Sequence, residues 1–75
     1  MQKRSFSIAG HRTSIALEPD FWRALEEIAG ARSLSMAALV REIDETRAVQ
    51  NLSSAMRLSA LIWYRDRAAA IESAD

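Results

Sequence analysis

The sequence predicts a mainly helical domain with a short β-ribbon at its N-terminus. Three observations carry that expectation. Apolar and polar residues alternate with period two between Arg4 and Leu17, the pattern of strands with one apolar face. After Leu17 the apolar residues change to helical spacing, first behind Pro19 and again behind Ser35. Finally, 14 of the 37 hydrophobic residues are alanine, against two glycines and one proline. Alanine loses no side-chain entropy in a helix, so this composition favours helix throughout.

Taken in order, Phe6 and Ile8 alternate with Ser5 and Ser7, and Ile15 and Leu17 alternate with Ser14 and Ala16. Ala9-Gly10-His11 lies between the two runs, and Gly10 accepts a positive φ without strain. Two readings stay open here. Both runs pair as a hairpin, or only Arg12 to Leu17 is a strand and residues 1–8 form a mobile basic arm. Pro19 then suits a first helical turn, where its missing N–H is no loss. Phe21, Trp22, Leu25, Ile28 and Ala29 make one stripe, so a first helix is expected over 19–31. Ser35 is an N-capping hydroxyl ahead of Met36, Leu39, Val40 and Ile43, which predicts a second helix over 35–47. Asn51 or Ser53 can cap a third, expected over 52–67, with fraying beyond Arg67. Its apolar residues cover more than a narrow stripe, which suggests burial against its own chain and a neighbour. Residues 1–17 are the basic arm and ribbon strand of the same single domain, and no internal repeat or linker divides it.

A chain of 75 residues buries only a small core, and such domains are commonly reinforced by disulfides, metals or oligomerisation. Cysteine is absent, which excludes disulfides and Cys-ligated zinc or iron–sulfur sites. Oligomerisation is the expected reinforcement. The apolar stretches are too short to cross a bilayer, and the basic start lacks an apolar signal core. The expectation is therefore a cytoplasmic protein with no membrane partner.

The formal net charge is zero, yet the charges are unevenly placed. Lys3, Arg4, His11 and Arg12 occupy residues 1–12 without a single acid, while residues 18–32 and 41–47 are net acidic. A basic end of this kind attracts a polyanion locally even on a neutral molecule. Lys3, Arg4 and His11 are thus candidate phosphate contacts, against the plain alternative of a solvated tail.

Catalytic chemistry is not expected. General acid–base or nucleophilic catalysis needs a polar group positioned by a second one in a dry cleft. His11 is the only histidine and falls beside a turn. No glycine-rich loop suits a phosphate cofactor, and Glu42, Asp44 and Glu45 with Arg41 and Arg47 read as a solvated helix face. Neither enzyme activity nor a cofactor or metal is expected.

A polar-alternating strand, Arg12-Thr13-Ser14-Ile15-Ala16-Leu17, thus runs into a Pro-initiated amphipathic helix. The short connection Ala31-Arg32-Ser33-Leu34-Ser35 leads to a second. This arrangement resembles the ribbon–helix–helix family of DNA-binding proteins. Lys3-Arg4-Ser5, Ala9-Gly10-His11-Arg12-Thr13-Ser14-Ile15 and Asn51-Leu52-Ser53-Ser54-Ala55 resemble a branch of small bacterial members. The resemblance implies an intertwined homodimer, in which each chain gives one strand to an antiparallel ribbon lying in the DNA major groove. It implies base reading by the outward residues Arg12, Ser14 and Ala16, with Arg12 suited to the O6 and N7 of guanine. It also implies a phosphate at the start of the second helix, held by Ser35 and the backbone N–H of Met36. Ala16 stands where the family often has a polar residue, and the third helix exceeds the minimal pattern.

The expected function is a dimeric, sequence-specific DNA-binding protein, a bacterial transcriptional repressor with double-stranded DNA as partner. The alternative is an interaction module, an antitoxin or adaptor, that binds a partner protein through the third helix or builds a higher homo-oligomer. A purely helical oligomerisation domain with an unstructured N-terminus is a third.

Overall fold

In the computed structural model, which describes residues 1–73, two strands precede three helices. Strand β1 (Gln2–Ile8) and strand β2 (His11–Leu17) are followed by α1 (Pro19–Ala31), α2 (Met36–Thr46) and α3 (Leu52–Ser73). The strands form an antiparallel hairpin whose register runs from Gln2↔Leu17 to Ile8↔His11. Its two-residue loop has φ of 52° at Ala9 and 83° at Gly10. Positive φ at both positions matches the twist of the flanking strands. The open choice between hairpin and arm is therefore settled as a hairpin.

Helix α1 begins at Pro19 behind Glu18, whose carbonyl accepts from the N–H of Phe21 at 3.0 Å. It closes with Ser33 at φ 56°, where Leu34 N–H reaches the Ala29 carbonyl and Ser33 N–H reaches that of Gly30. These two reversed bonds satisfy carbonyls that a helix end otherwise leaves unpaired. Ser35 Oγ accepts from Ala38 N–H at 3.0 Å and starts α2. Asn51 Oδ1 accepts from Ser54 N–H at 3.0 Å and starts α3, so Asn51 and not Ser53 is the cap.

The hairpin lies across the helices, with β1 against α2 and β2 against α3, while α3 also packs on α1 and α2. Ile8, Ile15 and Leu17 point down onto Trp22, Leu25, Ile28, Leu39, Val40, Ile43 and Met56. Trp22, Leu25, Val40 and Met56 are fully enclosed by residues of their own chain. Beside β2 lies β1 of the same chain, and the other edge of β2 carries no strand among the described residues.

Helix α3 also departs from its expected end. It continues past Arg67 to Ser73, because Ala68-Ala69-Ala70 keeps strong helix propensity where packing has stopped. Only one side of it is buried, through Ala55, Met56 and Ala60. Leu58, Leu61 and Ile62 on the other side remain exposed. No helix of the described residues is long and apolar enough to cross a membrane.

Candidate nucleic-acid interface

The alternation of the hairpin sorts its side chains onto two faces. Gln2, Arg4, Phe6 and Ile8 of β1 share the inner face with Thr13, Ile15 and Leu17 of β2. Lys3, Ser5 and Ser7 share the outer face with Arg12, Ser14 and Ala16. The register sets these as directly opposed pairs, Lys3↔Ala16, Ser5↔Ser14 and Ser7↔Arg12. Lys3, Ser5, Ser7, Arg12 and Ser14 are exposed and Ala16 is half-buried. The Ser5 and Ser14 hydroxyls meet at 2.9 Å across the middle.

Electrostatically this face is positive. Residues 1–17 hold no acid, and neither Lys3 nor Arg12 pairs with a carboxylate among the described residues. The two cations stand at diagonally opposite corners. A strand rises about 3.4 Å per residue, so Lys3 to Ser7 spans roughly 14 Å.

Arg4 is not on this face. Its guanidinium lies 4.8 Å from the Trp22 ring centroid and its Nη1 is 2.7 Å from Glu26 Oε1. Trp22 in turn donates its Nε1–H to the Gln2 carbonyl at 2.8 Å and packs on Phe6, centroid to centroid 6.0 Å. These contacts fasten β1 to α1. Arg4 shares the sequence parity of Phe6 and Ile8, and that parity is the signal that places it inward. His11 is exposed at the turn end, opposite Ile8, with the inner-face parity of Thr13.

Ser35 and Met36 sit apart from the hairpin's outer face, at the start of α2. Ser35 is exposed and its hydroxyl is engaged as the helix cap. The Met36 side chain packs against the core, which leaves its backbone N–H as the group available at that helix end. Of the residues singled out from the sequence, the structure joins Lys3, Arg12, Ser14 and Ala16 on one surface. It adds Ser5 and Ser7, to which the sequence pattern alone gave no role. Their signal is the period-two pattern of residues 4–8 once the Ala9-Gly10 turn fixes the register.

A second surface borders α3. Leu58, Leu61 and Ile62 form an exposed ridge with a groove of about 370 Å³ on one side, lined by Phe21, Ala24 and Tyr64. On the other side lies a groove of about 210 Å³ lined by Ile43, Val49 and Ala55. The hydroxyl of Tyr64 donates to Glu27, and this hydrogen bond holds the phenol above its usual pKa. Glu18 lies below the usual carboxylate range, first through a backbone hydrogen bond and then through Arg57 at 3.0 Å. Glu42 is lowered by its hydrogen bond from Arg32, at 2.8 Å. These pairs tie the helices together and lie outside the hairpin's outer face. No group of three or more potential metal-ligating side chains occurs among the described residues.

A family model described as a ribbon-helix-helix domain matches residues 1–64. The match spans both strands, α1, α2 and α3 as far as Tyr64. No curated protein and no solved structure gives a significant match.

Proposed function

The chain belongs to the ribbon-helix-helix domain family, and on that premise we propose that it binds double-stranded DNA with the outer face of its hairpin in the major groove. The observation that carries this reading is the acid-free outer face, with neither Lys3 nor Arg12 paired to a carboxylate among the described residues and four small residues between them. A major groove about 12 Å wide admits a two-stranded ribbon, and small side chains let its backbone approach the base edges. Arg12 reads guanine, Ser14 and Ala16 contribute beside it, and the Met36 N–H with Ser35 meets a phosphate. The protein acts by binding, without cofactor or metal, as a bacterial transcriptional repressor in the cytoplasm.

A second copy is the partner we assign to the α3 ridge. Leu58, Leu61, Ile62 and Tyr64 are 44%, 58%, 44% and 38% exposed. Those fractions leave roughly 350 Å² per chain, near half of the ~800 Å² a stable interface buries on each side. A ridge flanked by a groove on either side is complementary to itself, so a two-fold pairing of helices supplies much of the remainder.

Titration of a random duplex pool in rising salt tests the DNA reading. Affinity should fall steeply as counterions are released by Lys3, Arg12 and their neighbours. Absence of binding at low salt would overturn it. Sedimentation of the pure protein tests α3: a dimer that Leu61→Glu dissociates supports self-pairing. A monomer would assign the ridge to a different protein, as in an antitoxin.

A further inference from the structure

Helix α3 runs on past the body it packs against. Ala55, Met56 and Ala60 are buried and Trp63 is half-buried, but every residue from Tyr64 to Glu72 is exposed. The molecule is 46 Å long and 23 Å across, and residues 64–72 account for about 13 Å of helix. Alanine propensity favours helix there, yet an uncovered stretch this short is marginal on its own. Beyond Tyr64 these turns also lie outside residues 1–64, which the family model matches.

Leu61, Tyr64, Ala68 and Ile71 follow one another at spacings of three, four and three, the a and d positions of a heptad seam. The neighbouring exposed stripe, Leu58, Ile62, Arg65, Ala69 and Glu72, turns polar past Ile62. Only the first stripe stays apolar along the free half of the helix. Arg57, the next seam position toward the body, has its guanidinium on Glu18 at 3.0 Å and over the Phe21 ring, and the seam ends there. Tyr64 already donates its hydroxyl to Glu27, so a partner covers its ring without burying an unpaired donor.

Charge decides the orientation of that partner. Arg67 and Glu72 flank the seam at g and e, and neither is ion-paired among the described residues. In two parallel copies in register, the g position of one chain meets the e position five residues on in the other. Arg67 then faces the partner's Glu72, twice by symmetry. The antiparallel alternative sets Leu61 against Ile71 and crosses at residue 66. That crossing crowds Arg65 and Arg67 of both copies together, and like charges repel.

We infer that the free half of α3 forms a parallel, in-register two-helix coil with a second copy of this chain, its orientation set by Arg67 and the partner's Glu72. The inference rests on the self-pairing of the α3 ridge above and deepens it. Ile71, 71% exposed, extends the apolar area of that ridge toward the ~800 Å² a stable interface buries on each side. A two-fold axis along the paired helices leaves both bodies at the same end of the coil, which lets a dimer present both hairpins to one duplex.

Sedimentation equilibrium of the full chain tests this by charge exchange. Glu72→Arg should raise the dimer Kd by about 5- to 30-fold, since two attractive pairs become repulsive. Adding Arg67→Glu to it should restore the parent value. Because cysteine is absent, Ile71→Cys introduces a single thiol per chain. In a parallel pair the two thiols face each other and link under air oxidation, whereas an antiparallel pair would hold them roughly 15 Å apart, beyond disulfide reach. A dimer that Leu61→Glu dissociates but Glu72→Arg leaves unchanged would overturn the inference and keep the ridge as the interface. Failure of Ile71→Cys to link would do the same. A monomeric parent, or a dimer indifferent to Leu61→Glu, would overturn the ridge pairing first and the inference with it. Circular dichroism of each variant should retain the folded body, because none of these side chains is buried in its own chain.

Discussion

Replacing Trp22 by phenylalanine tests how firmly β1 belongs to the fold. The indole is fully enclosed, donates to the Gln2 carbonyl at 2.8 Å, and lies under both Arg4 and Phe6. Phenylalanine removes the donor, and an intramolecular hydrogen bond contributes about 1 kcal/mol net. It also removes a buried ring's worth of contacts, which costs roughly 1–2 kcal/mol where the site relaxes only in part. A weaker cation–π contact with Arg4 adds about 0.5 kcal/mol. The expected loss is therefore about 2–4 kcal/mol, a large share of the roughly 4–11 kcal/mol a domain of this size possesses. Urea unfolding followed by circular dichroism measures it, and at about 1 kcal/mol/M the midpoint should fall by roughly 2–4 M. Gln2→Ala is the control. It keeps the backbone acceptor and should change stability by less than about 0.5 kcal/mol. A loss below about 1 kcal/mol for Trp22→Phe would refute the reasoning, because residues 2–8 would then not be held by α1.

Four further outcomes follow from backbone geometry and named contacts. Ser33 closes α1 at φ 56°, so Ser33→Gly should stabilise by about 0.5–1 kcal/mol in the same unfolding assay. Ala9 has φ 52° in the hairpin loop, and Ala9→Asn should raise the melting temperature by a few degrees, since asparagine tolerates that region far better. The lowered carboxyls of Glu18 and Glu42 make stability present above the ordinary value of 4.5 and lost as pH falls through their folded values. Melting should therefore hold level from pH 7 to about 5 and drop below 4.5, and Arg57→Met should shrink the drop. Tyr64 has the opposite sign. Its raised pKa lends stability below pH 10 that disappears as pH climbs through the folded value.

Helices α1 and α2 were legible because burial, capping and helix period all point the same way in their sequences. Pro19 and Ser35 mark the starts, and Leu25, Ile28, Leu39 and Ile43 fall on the stripes that the core covers. The hairpin was only half legible. Alternation in residues 4–8 suggests a strand, but what secures it is Trp22, 20 positions beyond the Gln2 carbonyl it holds. Local pattern carries no record of such a contact. Arg4 shows the cost of counting charge without parity: it lies among the basic residues in sequence, yet Glu26 and Trp22 claim it on the inner face. The end of α3 was missed for a different reason. Ala68 to Ala70 are exposed among the described residues, so propensity extends the helix there.

The most direct test of the central claim follows the backbone amides by NMR while a selected duplex is added. The account expects the largest shifts along residues 3–7 and 12–16, with the first turn of α2 moving less and α3 unchanged. Shifts confined to α3, with the hairpin silent, would contradict it.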